Sequence, residues 1–271
     1  MTRARRPALL VWLVAGVGVY AAGPPASLRY TAAQLDCATF VDHAAGRLDA
    51  ETGARRRRET LSRDGVLRVR ARAADSGIAL EAWYDSLAVS RVSPETTLIP
   101  DTDGLLGGRY RGALSAEGRY EPRARPFVPD AVAEVADLGR VLDDLLPPLP
   151  PRALTVGDAW SDGAGLELRR LPDSVAHGRS LWRLALHDRS QSNEAAIRGD
   201  MTGLTVSQVT TETGEIDWDA RSGLVRRVRH IVVETSVPAG GPLKLPLRSR
   251  LEQDAALTRS GRFCAAEPES R

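Results

Sequence analysis

The 271-residue sequence has no strong excess of charge of either sign, because 37 basic residues face 35 acidic ones. A protein that binds nucleic acid through its phosphates normally carries a marked basic excess on its surface. Three of the arginines, Arg3, Arg5 and Arg6, lie at the very start, and without them 34 basic residues face 35 acidic ones. The composition therefore argues against nucleic acid as a partner.

The sequence also lacks the motifs of common catalytic and metal sites. It contains no Gly-x-Ser-x-Gly nucleophile elbow and no His-Glu-x-x-His zinc motif. Asp101–Gly104 begins like a calcium loop, but the later acidic ligands and the closing glutamate are missing. The four histidines do not have the spacing of metal ligands: His43, His177, His187 and His230. We predict no catalytic residue, metal or cofactor, and we expect the protein not to be an enzyme.

Cysteine is scarce, and its placement is informative. The two cysteines, Cys37 and Cys264, lie near the two ends of the chain that follows the first apolar segment. An even pair of this kind in an oxidising compartment favours a disulfide that ties the two ends together. Lipid attachment at Cys37 is not expected, because Asp36 stands directly before it, where that motif needs a small residue.

No apolar run is long enough for a comfortable membrane span, which needs about 20 residues. The longest run, residues 8–19, follows the three arginines and leads to Val19-Tyr20-Ala21, where a signal peptidase could cut. This pattern predicts a signal peptide over residues 1–21, with an uncleaved anchor as the alternative. We expect a protein of the periplasm or a secreted protein, without a stable membrane span after cleavage.

One segment has the pattern of a long amphipathic helix, from residue 130 to residue 146. Pro129 and Asp130 suit a helix start, and Pro147 and Pro148 suit its end. The apolar residues recur at three- and four-residue spacing: Val132, Val135, Leu138, Val141, Leu142, Leu145 and Leu146. The helix is expected either to pack on the core or to form a lid over a ligand groove.

The chain on both sides of this segment has the pattern of β-strands. In residues 66–73, aliphatic side chains alternate strictly with arginines, which is typical of a strand with one covered and one solvated face. The predicted fold class is mainly β with one long helix (α+β), as a curved antiparallel sheet or incomplete barrel packed on the helix. We expect one β-rich domain over residues 28–264, with the helix between two β halves, and a disordered tail over residues 265–271.

Two short motifs carry a resemblance to known proteins. Val156–Trp160 (VGDAW), after a proline-rich run, and Gly214–Asp219 (GEIDWD), followed by Ser222-Gly223-Leu224, resemble a pattern of uncharacterised exported bacterial proteins. The predicted layout is also similar to the half-barrel of periplasmic lipoprotein carriers and related lipid-binding envelope proteins. That second resemblance implies an apolar cavity closed by a helix. Because no carrier motif matches residue by residue, it assigns no binding residues.

The predicted function is therefore binding of an apolar ligand, such as a lipid or acyl chain, in a groove under the helix. The alternative is a structural or partner-binding module of the envelope, without ligand or catalysis. Strand aromatics and helix leucines are the candidate groove residues: Leu138, Leu142, Leu145, Tyr84, Trp182 and Trp218.

Overall fold

The computed structural model of the chain consists almost entirely of antiparallel β-structure. The predicted signal peptide (1–21) and the predicted tail (265–271) lie outside the described residues, so both stay predictions. The structure describes residues 25–75, 77–176, 178–195, 204–240 and 243–264.

Twelve strands in the described part of the chain form a single sheet. The helical elements there are short: α1 (Ala32–Leu35), a 3-10 turn (Asp103–Leu105), α2 (Asp130–Ala133) and α3 (Val141–Leu145). The strands are β1 (Ala38–Thr52), β2 (Arg55–Ala74), β3 (Gly77–Val92), β4 (Thr97–Leu98), β5 (Tyr110–Leu114), β6 (Tyr120–Ala124), β7 (Ala159–Ser161), β8 (Glu167–Ala176), β9 (Arg179–Ala195), β10 (Thr205–Asp219), β11 (Gly223–Val237) and β12 (Leu247–Arg262).

The strand order is β6-β5-β3-β2-β1-β12-β11-β10-β9-β8-β7, with β4 paired to β3. The first and last strands, β1 and β12, are thus neighbours in the middle of the sheet, and a meander extends from each. Residues 125–158, here called the crossing segment, connect β6 at one edge to β7 at the other. We call the side of the sheet that packs on this segment the core face and the opposite side the outer face.

The alternating pattern of residues 66–73 is observed in β2. Leu67, Val69 and Ala71 are buried on the core face, and the arginines between them point to the outer face. Neighbouring strands continue this division, since residues that pair directly across an antiparallel ladder share a face. Around residues 66–73 the core face is therefore apolar and the outer face is charged.

The prediction of one long helix packed on the sheet is wrong. Residues 130–146 form two separate short helices, α2 and α3, and no long helix is found in the described ranges. Between them the side chain of Asp137 accepts a hydrogen bond from the amide of Gly139 at 2.8 Å. Such a local bond competes with helical pairing, and glycine weakens a helix further.

The apolar residues of the crossing segment are nonetheless buried, because the segment lies along the core face of the sheet. Residues from both meanders pack against it, including Phe40, Leu114, Leu168 and Ile216. The residues before α1 hold its far end: Ala26 and Leu154 form a β-bridge, and the hydroxyl of Tyr30 donates to the carbonyl of Pro147 at 3.1 Å.

The disulfide prediction is confirmed. Cys37 and Cys264 are bonded, with their Cα atoms 5.5 Å apart, although 227 positions separate them in the sequence. The bond joins the start of β1 to the end of β12, and the amide of Phe263 also donates to the carbonyl of Cys37 at 2.9 Å. It therefore links the two meanders covalently at the pair of strands where they meet.

Gly118, in the turn between β5 and β6, permits close contact with the crossing segment. Its φ is +82°, and a Cβ there would lie 2.5 Å from the carbonyl oxygen of Pro147 and 2.9 Å from the Tyr30 ring. We expect Gly118→Ala to lower the free energy of unfolding by about 2–4 kcal/mol, from left-handed strain and the clash together. Chemical denaturation measures this loss.

Gly163 supplies the matched control, because its φ is +79° and nothing lies within 4 Å of the position that a Cβ would take there. Gly163→Ala should lose only about 1–2 kcal/mol, the conformational part of the effect. Equal losses for the two variants would show that the contact between Gly118 and the crossing segment contributes nothing.

Candidate functional site

The structure brings the six predicted groove residues together, in the hydrophobic core. Leu138, Leu142, Leu145, Tyr84 and Trp218 are each at most 2% exposed. Trp182 is half-buried, pairs with Trp218 across β9 and β10, and packs against the same core. All six side chains thus lie where the crossing segment meets the sheet, and they contact protein there.

The space between the crossing segment and the centre of the sheet is small. A cavity of about 20 Å³ lies beneath α3, bordered by Val141, Leu145 and Leu67 and by charged side chains. This volume is close to the minimum that one water molecule requires. An acyl chain cannot enter there without displacement of the crossing segment.

Charged residues form a band across the core face at this cavity. Arg63 of β2 contacts Asp42 of β1 through two nitrogens, at 2.9 and 3.1 Å, and the hydroxyl of Tyr84 donates to the same carboxylate at 2.7 Å. Burial and the nearby Asp42 charge raise the pKa of Tyr84 well above its usual value. Tyr84 therefore stays protonated and acts as a donor.

The other half of the charged band comes from β10, β11 and α3. Arg229 contacts the carboxylate of Asp144 at 2.9 Å, and Arg227 donates to Glu212 at 2.8 Å and to the main-chain carbonyl of Asp144. Burial tends to raise the pKa of Asp144, but the positive charges of Arg229, Arg227 and Arg63 outweigh it and leave that pKa lowered. These contacts fasten α3 to the sheet.

The charged band balances its own charges, since three arginines face three carboxylates: Arg63, Arg227 and Arg229 with Asp42, Asp144 and Glu212. Its geometry is that of a buried clamp, because each carboxylate is engaged by an arginine. Sequence reasoning missed this cluster. Asp42, Arg63 and Tyr84 are 21 or more positions apart and meet only through the register of β1, β2 and β3.

Beyond the charged band, the core face carries aliphatic side chains on β1, β12 and β11, whereas β2 places the buried Glu59, paired with Arg91, beside Leu48. Leu48 pairs with Leu251, and Leu251 pairs with Val233, so these three side chains form one row across β1, β12 and β11. Together with Ile231 and Leu247 on the same face we call them the aliphatic patch. None of the five belongs to the core cluster beneath the crossing segment, and all but Ile231 are only half-buried.

The largest cavity among those identified lies on the outer face. It measures about 490 Å³ and opens between the ends of β1, β10, β11 and β12. Two of its acidic residues have arginine partners: Glu234 pairs with Arg250, and Asp49 pairs with Arg58 at 2.9 Å. Short side chains such as Ser207 and Ser236 form the rest of its lining.

In the described ranges, no set of three or more His, Cys, Asp or Glu residues is placed to hold a metal ion. Over the same residues, none of the helices has the length and hydrophobicity needed to cross a bilayer.

Comparison with known proteins gives weak likenesses. No family model matches the chain, and no curated protein matches it. A structure of lipid–protein interactions in lipovitellin is 12% identical with a TM-score of 0.47, and the match covers 87% of this chain and 26% of that chain. A DUF1329 family protein from Desulfovibrio piger is 12% identical with a TM-score of 0.16, and the match covers 84% of this chain and 88% of that chain.

The chain thus spans about a quarter of the lipovitellin chain. At these TM-scores neither likeness supports an argument about function, and the resemblance to exported bacterial proteins stays a prediction. The structure defines the class of protein as a large antiparallel sheet, with a disulfide beside its two central strands and a crossing segment over part of one face.

Proposed function

We propose that the protein binds the apolar part of a ligand, such as the acyl chain of a lipid, on the aliphatic patch. The observation that carries this proposal is the row formed by Leu48, Leu251 and Val233 outside the packed core. The role is one of binding, without catalysis. The ligand site lies beside the crossing segment, since the space beneath that segment is filled.

The contrast between the two faces of the same strands supports this assignment. On the outer face, the row next to the patch consists of Asp49, Arg250 and Glu234, which are charged and paired. A sheet face that meets only water normally carries polar residues of this kind. The patch keeps the apolar character of the core although it lies outside it, as expected for a surface that an apolar ligand covers.

The disulfide supports a location outside the cytoplasm. Bonds between cysteines persist in secreted proteins and in the bacterial periplasm, and are rare where thiols are kept reduced. Cys37 and Cys264 therefore favour an exported protein that meets its ligand in the envelope or beyond it.

Val233→Glu tests the proposal. We expect this variant to bind a fluorescent fatty acid at least about tenfold more weakly than the natural protein, because burial of a valine is worth about 1.5–3 kcal/mol and a charge opposes it. Titration followed by fluorescence measures the affinity, and native mass spectrometry of protein from its own envelope fraction shows any bound lipid.

Val232→Glu is the control, because Val232 is the adjacent residue of β11, is also half-buried and points to the outer face. It should leave the affinity within about threefold of the natural value. The proposal fails if the natural protein binds neither added fatty acid nor a lipid from the envelope, or if both variants weaken binding equally.

A second candidate function, docking of a protein partner, is favoured by two exposed apolar side chains. Phe127 is 82% exposed at the start of the crossing segment, and Ile99 is 71% exposed in the loop after β4. Addition of a partner strand at the sheet edges is less favourable, since Pro122 interrupts the edge strand β6, and Pro172 interrupts β8 where it extends beyond its short pairing with the edge strand β7. Phe127→Ser separates the functions: it should leave fatty-acid binding unchanged and abolish retention of a protein partner.

A further inference from the structure

A groove on the outer face, the face opposite the aliphatic patch, is rich in arginine. It is lined by residues of β2, β3, β5 and β6 and measures about 360 Å³. Arg70 and Arg72 alternate with buried Val69 and Ala71, so they point away from the core. Across the strands, Arg70 pairs with Glu81, and Glu81 pairs with Arg111, which places these side chains in one row.

The floor of the groove is made by small residues. Arg72 pairs with Ala79, and Ala79 pairs with Ala113 of β5, so the row beside the charged one leaves space above the sheet. Ala124 forms the border on the β6 side, and Arg123 stands next to it at the edge of the sheet. The result is a trench with alanines below and arginines on its walls.

The charges in the groove are not balanced. Four arginines, Arg70, Arg72, Arg111 and Arg123, line it together with one carboxylate, Glu81. Glu81 is already engaged by Arg111, at 2.8 and 2.9 Å. Across the residues that the structure covers, no carboxylate lies within 4.0 Å of the guanidinium nitrogens of the other three.

This imbalance is unusual for the outer face of this protein. Arg58 pairs there with Asp49 at 2.9 Å, and Arg68, one row before Arg70 on the same strand, pairs with Asp85 at 2.7 Å. Arginine along the outer face is thus commonly neutralised by a neighbouring acid. In the groove, by contrast, three guanidinium groups have no acidic neighbour among the described residues.

An aromatic side chain also supports one wall of the groove. The guanidinium carbon of Arg70 lies 5.7 Å from the centre of the Phe263 ring, within the range of a cation–π contact. Phe263 is next to Cys264 in the disulfide and packs edge-on against Trp83 at 5.4 Å. The disulfide therefore holds the ring that orients Arg70.

We propose that this groove binds a phosphoryl group. Guanidinium groups form paired hydrogen bonds with phosphate oxygens, and several unneutralised arginines around one trench provide charge and geometry together. The volume suits a small ligand or a headgroup. The phosphoryl group belongs either to a soluble phosphate ester or to an anionic phospholipid. This site is independent of the aliphatic patch, which lies on the other face.

The test compares two double variants that remove the same charge. Arg72→Ala/Arg123→Ala removes two unneutralised arginines of the groove, and Arg58→Ala/Arg250→Ala removes two arginines of the outer face that already have acidic partners. The probes are inorganic pyrophosphate and glycerol 3-phosphate in calorimetry, and phosphatidylcholine vesicles with and without phosphatidylglycerol in flotation, all at low salt.

We expect the groove variant to bind at least about tenfold more weakly than the natural protein, and the control to stay within about threefold. Binding of the soluble probes alone identifies a soluble phosphate ester, and binding of phosphatidylglycerol vesicles alone identifies a lipid headgroup. The proposal is overturned if the natural protein binds none of the probes, or if the two double variants lose affinity equally. Thermal unfolding of both variants checks that they are folded.

Discussion

We expect the double variant Cys37→Ser/Cys264→Ser to lose about 2–5 kcal/mol of its free energy of unfolding. A disulfide stabilises a protein mainly by restricting the unfolded chain, and this restriction increases with the length of the loop that is closed. Here 227 positions separate the two cysteines. The effect should be near the upper end of the range, because the bond also joins β1 and β12, on which the rest of the sheet is built.

Chemical denaturation with and without reductant measures this contribution. The natural protein in reductant should unfold at the same denaturant concentration as the double variant, and the double variant should be insensitive to reductant. If the denaturation midpoint of the natural protein does not change when the bond is reduced, the disulfide does not stabilise the fold.

The second large effect is expected at the charged band. Asp42→Ala should lower the free energy of unfolding by about 3–5 kcal/mol, because removal of one partner leaves the other charge buried and unpaired. Arg63, with 11% of its side chain exposed, would lose both of its contacts to Asp42, and the hydroxyl of Tyr84 would lose its acceptor. Equilibrium unfolding in urea gives the value.

Two further variants show whether the loss comes from burial. Asp64→Ala removes the partner of His43 at an exposed pair with a contact of 2.6 Å, and it should change the free energy of unfolding by less than about 1 kcal/mol. The triple variant Asp42→Leu/Arg63→Met/Tyr84→Phe replaces the whole group by apolar side chains and should recover most of the loss. An Asp42→Ala effect no larger than that of Asp64→Ala would rule out a buried clamp.

The strands and the disulfide could be predicted from the sequence because both leave local marks. Strict alternation in residues 66–73 depends only on which face of a strand is covered, and it is observed in β2. The cysteine pair needs only an even count and a suitable compartment. Neither inference required knowledge of which strands are neighbours.

The prediction of one long helix was wrong although the apolar residues of the segment are periodic. Val132 of α2 and Leu142 and Leu145 of α3 are buried, so each short helix keeps the apolar spacing although the helix is interrupted between them. The interruption at Gly139 and the side-chain bond from Asp137 were visible as residue types. Glycine and a side chain that bonds the local backbone both disfavour a helix interior, and here they outweigh the apolar stripe.

The charged band and the arginine groove could not be predicted, since both depend on register. Arg63 and Arg70 are alike in sequence, but β1 places Asp42 beside the first, and no described carboxylate reaches the second. A shift of one residue in any of these strands would exchange the two faces. The pairing of distant strands therefore decides which arginines are neutralised.

The adjacency of β1 and β12 has a consequence for the way in which the protein is made. During translation β1 emerges early and β12 late, so the centre of the sheet stays open until nearly the whole domain has been synthesised. Contacts between residues so distant in sequence form slowly. The two meanders therefore fold before they can join, and we expect the pairing of β1 with β12 to be the slow step of folding.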